Sequence, residues 1–237
     1  MVNTVGSYVN KHWHKNLISI KQQFTITDTQ HSLLVGSMLG DGTMWMGKGA
    51  VNANYKVEQG LQQKDYVYWK YRILKPLVLT EPKISYRYAE DGSKYEKSWW
   101  FRTMRHPLLT TMYNKFYRSD GYRTGRKIVP TNIIEDLDEL ALTVWIMDDG
   151  SYSRKAIDIS TYSFSLDEIV ILQKALEKKF GVVMKYHRDR DKGLRMYASH
   201  PETLKLISII RKYIIPTMMY KIGLRNPVTT DPKGEIR

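Results

Sequence analysis

Leu34-Val35-Gly36-Ser37-Met38-Leu39-Gly40-Asp41-Gly42 and Leu142-Thr143-Val144-Trp145-Ile146-Met147-Asp148-Asp149-Gly150 are two versions of one phrase. Each is an apolar run that stops at an acid-glycine pair. Leu33, Leu34 and Met38, and then Leu137, Leu140, Val144 and Met147, recur at helical spacing. Thr27-Asp28-Thr29-Gln30 offers a capping box at the start of the first run, and Asp136-Leu137-Asp138-Glu139 places Asp136 at the N-cap of the second. Gly42 and Gly150 stand where glycine commonly ends a helix. Gly36, Ser37 and Gly40 carry little bulk, so two such helices can approach closely.

The likeness continues downstream. In the first half, strand-like Asn54–Gly60 is followed by helical Tyr66–Leu74. Strand-like Ile84–Tyr88 and Tyr95–Arg102 come next, and then a His106-Pro107 step that opens a helix. In the second half the same order runs through Ala156–Thr161, Leu166–Phe180, Val182–Arg188, Leu194–Ala198 and His200-Pro201. The acids are 108 residues apart (149 − 41) and the His-Pro steps 94 (200 − 106), so the first half carries the longer hairpin, around Glu90-Asp91-Gly92-Ser93. The pattern predicts an α+β chain with an N-terminal extension (1–30) and two α-β-β-α-β-β-α units (31–130 and 131–237). A two-copy chain predicts a pseudo-two-fold monomer, matching the two-fold relation between the strands of a DNA duplex.

Charge points the same way. The 237 residues hold 37 basic and 24 acidic side chains, a net charge of +13. The excess is concentrated in the first half: residues 1–135 carry +10 (20 − 10) and residues 136–237 carry +3 (17 − 14). A basic, aromatic-rich chain suits a nucleic-acid partner, because phosphate neutralisation supplies most non-specific affinity. The absence of cysteine excludes disulfides, thiolate zinc sites and a cysteine nucleophile. No apolar run is long enough for a membrane helix. The first 30 residues contain neither a secretory h-region nor the arginine of an import sequence. The expected location is therefore an organelle, mitochondrion or chloroplast, if the chain is encoded there, and the cytoplasm otherwise.

An aspartate at a helix C-terminus adds a carboxylate to unsatisfied carbonyls and the negative end of the helix dipole. That is a hard oxygen site suited to Mg²⁺, which keeps several waters and takes one or two carboxylates together with phosphate. One Asp-Gly after an apolar run is ordinary turn chemistry. Two of them, on matching helices of a duplicated basic chain, make Asp41 and Asp149 the candidate catalytic and metal-holding acids. Gly40 and Asp148 are the neighbouring candidates, Asp148 as a carbonyl donor to metal or as a solvated neighbour. Glu58 and Ser160, on the strands facing each motif, are candidates for orienting water.

Strands laid along the major groove would present alternate side chains to DNA. Lys83, Ser85 and Arg87 share one face, and Arg102 shares the next with Glu96, Ser98 and Trp100. The second half offers Arg154, Lys185, Arg188, Arg190 and Arg195. The same charges would also suit a solvated sheet face. Tyr66, Tyr68, Trp69 and Tyr71 read as helix packing. No His-x-x-x-His pair argues for zinc, and no glycine-rich loop ending in Lys-Ser/Thr argues for nucleotide hydrolysis.

At the two acid-ended motifs the sequence resembles the LAGLIDADG homing endonucleases, and within them the single-chain branch of the I-SceI type. Gly36, Gly40, Asp41 and Gly42 match the family pattern. The second motif departs from it, with Val144 at a position often glycine and Asp148 at a position usually small, which predicts looser helix contact on that side. Trp145-x-Met147-Asp148-Asp149-Gly150 and Ile215-Pro216-x-Met218-Met219-Tyr220-Lys221 are similar to that branch, and the resemblance covers residues 31–224. It implies a saddle of two antiparallel sheets on double-stranded DNA and Mg²⁺-dependent double-strand cleavage with 3′ overhangs, Mn²⁺ being able to substitute. It also implies mobility of the host intron. Lys127 and Lys221 match basic positions near the active centre and would stabilise phosphate charge. The alternatives in the same fold are a maturase acting on intron RNA and a DNA-binding regulator without catalysis.

Overall fold

The computed structural model describes residues 24–118 and 125–224. Most of the expected N-terminal extension, residues 1–23, lies outside the described residues, as do 225–237. The first half runs α1 (Asp28–Leu39), β1 (Thr43–Trp45), β2 (Asn54–Gly60), α2 (Lys64–Leu74), β3 (Lys83–Tyr88), β4 (Lys94–Arg102) and α3 (Pro107–Phe116). A small ladder, β5 (Tyr117–Arg118) with β6 (Arg126–Lys127), and a single turn, α4 (Ile133–Asp136), lead into the second half. That half repeats the order as α5 (Glu139–Asp149), β7 (Gly150–Ser153), β8 (Ala156–Ser160), α6 (Leu166–Phe180), β9 (Met184–Arg188), β10 (Leu194–Ala198) and α7 (His200–Ile210). Each half contributes a four-stranded antiparallel sheet of the same topology, β1-β2-β4-β3 and β7-β8-β10-β9. Among the described residues no helix is long and apolar enough to cross a membrane.

The two motif helices lie against each other at the centre. Leu33 through Leu39 of α1 and Ala141 through Asp148 of α5 are buried without interruption. A helix apolar around its whole circumference must be covered on every side, and here each helix is covered by the other and by the sheets. Gly36 makes this contact possible: a Cβ there would stand 2.2 Å from the carbonyl oxygen of Ala141 and 2.7 Å from Cβ of Val144. The expected looseness beside Val144 is therefore absent, because the bulk that α5 carries at that position occupies the space that α1 leaves open.

Caps set where these helices begin and end. The Thr27–Gln30 capping box forms in both directions, at 3.3 and 3.1 Å. In the second half the cap is Asp138 and not Asp136: Asp138 accepts from the Ala141 N–H at 2.7 Å and from the Ser32 hydroxyl at 2.5 Å, which ties the start of α5 to α1. Asp136 closes the preceding turn α4, and its carboxylate pairs with Lys115 and His31. The first motif also ends earlier than expected, with Gly40 at the C-cap of α1 and Asp41 beyond it, whereas Asp149 is the last residue of α5 and Gly150 is its cap.

Register decides which side chains the sheets present outward. Lys56, Glu58 and Gly60 pair with Arg102, Trp100 and Ser98, and β3 continues that face through Lys83 and Ser85. A bulge between Ser85 and Tyr86 then shifts the pairing, so that Tyr86 faces Glu96 and Arg87 faces Tyr95. Arg87 stays with Lys83 and Ser85, but Glu96 leaves the face it was expected to share with Arg102. In the second sheet, Ser160 pairs with Arg195, Asp158 with Tyr197, and Tyr197 with Lys185.

Candidate active site

Asp41 and Asp149 leave adjacent helix ends in the same neighbourhood. Asp41 is exposed and Asp149 half-buried. Burial, followed by the charges of Asp41 and Asp148, pushes the Asp149 carboxyl up to about 8. A carboxyl whose ionisation its acidic neighbours oppose marks a site that a cation would relieve. Among the described residues no three His, Cys, Asp or Glu are arranged as a set that could hold a metal ion. The protein donors here are two carboxylates and the carbonyls beside them.

Two lysines close the helix ends in matching fashion. Lys127 donates to the carbonyls of Gly40 and Gly42 at 2.7 and 2.8 Å, and Lys221 donates to those of Asp148 and Gly150 at 3.1 and 2.8 Å. The acceptors are the same positions of the two motifs, 108 residues apart (148 − 40), and each ammonium faces the negative end of a helix dipole. Burial lowers both lysines below the ordinary range while the nearby acids oppose it, Asp149 first for Lys127 and Asp148 first for Lys221. The Gly40 and Asp148 carbonyls, expected to face a metal, thus already accept from lysine; each oxygen keeps a second lone pair.

The side chain of Asp148 is not a solvated neighbour. It is fully buried, with an ion pair to Lys70 at 2.8 Å, and it also accepts from the Tyr66 hydroxyl at 2.8 Å. Lys70, itself 1 % exposed, also donates to Ser37 Oγ at 3.0 Å. Burial raises the Asp148 carboxyl, and Lys70 and Tyr66 pull it back. Tyr66 is therefore more than helix packing, which was the expectation for it.

The residue beside Asp41 on β2 is Gln59 and not Glu58. Gln59 Nε2 donates to Asp41 Oδ2 at 3.0 Å. Glu58 points out of the opposite face of the strand, where Lys56, Lys97 and Ser98 engage it at 2.6 to 2.7 Å. Burial works against its ionisation, but those three hydrogen bonds bring its carboxyl down to about 2. Ser160 likewise shares the outer face of its sheet with Arg195. The signal for Gln59 was present in the sequence, since Tyr55, Val57 and Gln59 alternate along the core side of β2.

The expected DNA contacts divide by geometry. Lys83, Ser85, Arg87 and Arg102 share the outer face of the first sheet, where the structure adds Lys56 and Lys97. Lys185 and Arg195 share the outer face of the second, with Arg195 hydrogen-bonded to Ser151 at 2.6 Å. Arg188 alternates to the other side with Tyr186 and Met184. Arg154 and Arg190 sit in connections with left-handed backbones (φ 50° and 48°), at strand ends rather than along the strands.

Comparison with known proteins agrees with this architecture. The homing endonuclease I-WcaI bound to its DNA recognition sequence superposes with a TM-score of 0.78 at 22% identity, covering 88% of this chain and 92% of that one. DNA endonuclease I-ChuI of Chlamydomonas applanata is 29% identical over 210 residues, 84% of this chain and 96% of its own length. Cytochrome b mRNA maturase bI2 of Debaryomyces hansenii is 28% identical over 195 residues, 81% of this chain and 72% of its own. The model of the LAGLIDADG DNA endonuclease family matches residues 31–206, spanning both acid-ended helices and both sheets, and the chain belongs to that family.

Proposed function

We propose that this chain is a site-specific DNA endonuclease that breaks both strands at a long, asymmetric site, with Asp41 and Asp149 as its catalytic acids. One observation carries the proposal: matched helix ends from the two halves bring two carboxylates so close that Asp41 helps push Asp149 up to about 8, between two lysines that cap those ends. The side chains of Asp41 and Asp149, with the carbonyls of Gly40 and Asp148, would hold Mg²⁺, for which Mn²⁺ can substitute. So few protein ligands leave room for the waters and phosphate oxygens that Mg²⁺ retains. Bound there, the ion supplies Lewis-acid stabilisation of phosphate oxygen and lowers the pKa of the attacking water.

The chain's own residues do the rest. Gln59 fixes the orientation of the Asp41 carboxylate. Lys127 and Lys221 hold positive charge beside the positions where negative charge develops on phosphate. The outer faces of the two sheets, through Lys83, Arg102, Lys185 and Arg195, hold the duplex on either side of the acids. Two acids on separate strands would give staggered cuts with 3′ overhangs, and a single chain carrying both would act as a monomer. A break of this kind serves the mobility of an intron in an organellar gene.

Binding and cleavage of one labelled duplex in Mg²⁺ test this reading for Asp41→Asn and Asp149→Asn. Each substitution keeps the shape and removes a ligand charge, so double-strand cleavage should fall on the order of 10³-fold, several kcal/mol at about 1.4 kcal/mol per tenfold. Sequence-specific binding should survive. Normal cutting by either variant would refute the assignment.

A second activity is favoured by one observation, the similarity to a protein named as a cytochrome b mRNA maturase. If the chain also assists splicing of an intron RNA, an Asp41→Asn/Asp149→Asn double variant should keep that activity, since the metal acids serve only cleavage.

A further inference from the structure

The two acids occupy matching positions, but what holds them differs. Asp148, immediately before Asp149, does not serve its own half. Its Oδ2 accepts from the backbone N–H of Asp41 at 3.2 Å, and Gln59 Nε2 bridges Asp148 Oδ1 (3.4 Å) and Asp41 Oδ2 (3.0 Å). Its remaining partners, Lys70 and Tyr66, come from α2 of the first half.

The matching place in the first motif is Gly40, and the two positions interlock. A Cβ on Gly40 would lie 2.5 Å from Asp148 Cβ and 2.7 Å from Asp148 Oδ2. Position 70 has no polar counterpart either. Asn54 and Ala156 open the corresponding strands, an offset of 102 (156 − 54), and that offset puts the buried Leu172 where α2 has Lys70. The device is thus present once, and it crosses from the second half to the first.

We infer that Asp148 is a positioning residue that holds Asp41 from across the half boundary, itself fixed there by Lys70 and Tyr66 of the first half, making the Asp41 centre dependent on the second half in a way the Asp149 centre is not. The inference rests on Asp41 being a catalytic acid. A buried ion pair is a costly way to gain stability, because desolvating both charges consumes most of their attraction. This one fixes the main chain at Asp41 and one end of the Gln59 amide that orients the Asp41 carboxylate. Lys70 also offsets part of the charge of this third carboxylate, which still bears on Asp149. Asp149 is held by other means, as the last residue of α5 with Lys221 on the flanking carbonyls.

The test compares the wild type with Lys70→Met/Asp148→Asn, which removes both charges together so that neither is left buried and alone, and with Tyr66→Phe, which removes one oxygen. Supercoiled plasmid carrying the site separates first-strand from second-strand cutting. Melting of the DNA-free protein during Mg²⁺ titration reads ion binding without cleavage. The double variant is expected to melt near the wild-type temperature without Mg²⁺ and to need about tenfold more Mg²⁺ for its thermal shift. It should also accumulate nicked plasmid at least tenfold, always cut on the same strand. Tyr66→Phe should show the same strand bias at about threefold, and it answers the question if the double variant does not fold. Equal slowing of both strands, or wild-type Mg²⁺ dependence in a folded variant, would overturn the inference and leave the endonuclease assignment standing. A wild-type protein that cuts neither strand would instead remove the assignment on which the inference rests.

Discussion

Asp41 is exposed one residue beyond the glycine that caps its helix, whereas Asp149 is half-buried as the final residue of its own helix. The first acid is held by side chains from both halves, and the second by its helix and one lysine. Duplication supplies two copies of an acid at a helix end, but a single continuous core cannot surround both copies identically. Each departure from symmetry in one helix is answered in the other: Val144 lies over Gly36, and Asp148 lies over Gly40.

The comparison would break most visibly at the lysine caps. On the proposed mechanism Lys127→Met and Lys221→Met would each remove a charge next to developing phosphate charge, and each should lower single-turnover cleavage on the order of 10²–10³-fold. Lys127 caps the helix of Asp41 but feels Asp149 most strongly among the acids. If the halves work crosswise, its loss should slow both strands more evenly than the loss of Lys221. Strand-resolved cleavage rates check this.

A smaller effect is expected from filling the helix contact. Gly36→Ala would drive a methyl group into the Ala141 carbonyl, which belongs to the main chain and cannot turn away. A stability loss at or above the roughly 1–3 kcal/mol typical of overpacking should appear in denaturant unfolding. Val144→Ala, at the matching position of α5, removes bulk instead and should cost about 0.5–2 kcal/mol. A reversed order would mean that the two helices lie farther apart than the structure has them.

Proton linkage distinguishes the acids more gently. An aspartate raised from 3.8 to about 8 in the fold stabilises the folded protein fully below 3.8, and that contribution is lost as pH rises toward 8. Without divalent metal, Asp149→Asn should therefore melt like the wild type near pH 4 and progressively higher than it up to about pH 8. Thermal melts in a chelator across that range give the answer; a constant offset would show that Asp149 ionises freely.

The smallest effect concerns the outer faces. Removing Lys83 or Arg102 should reduce the slope of log K against log salt by about 0.9 for each phosphate that is no longer neutralised. Arg195 should count for less, because Asp158, Asp189 and Ser151 already engage it. Equal slopes for the two sheets would contradict the uneven charge of the halves.

Much of this could be read from the residues because helix ends and strand alternation are local. Asn54–Gly60, Leu166–Phe180 and Leu194–Ala198 form as their patterns predict, as does the Thr27 capping box. What escaped depended on facing. Glu58 and Gln59 are neighbours on one strand, and a carboxylate is the more obvious chemical group, yet the parity set by Tyr55 and Val57 directs the amide toward Asp41. Lys70 follows Tyr66 and Val67 at helical spacing, in the apolar stripe of α2, but a lysine ordinarily signals solvent. Its partner lies 78 residues away on another helix, which no local pattern reveals. The bulge after Ser85, which moves Glu96 to the other face, adds one residue to a strand without a distinctive composition.

The pairing of Gly40 with Asp148 makes the halves non-interchangeable as parts. A homodimer built from the first half would set Gly40 against Gly40 and leave two copies of Lys70 buried without a carboxylate. One built from the second half would press two Asp148 side chains together with no glycine to receive either. Chimeras that exchange one half with a relative should accordingly succeed only when the residue before each acid and the residue at position 70 travel as a set.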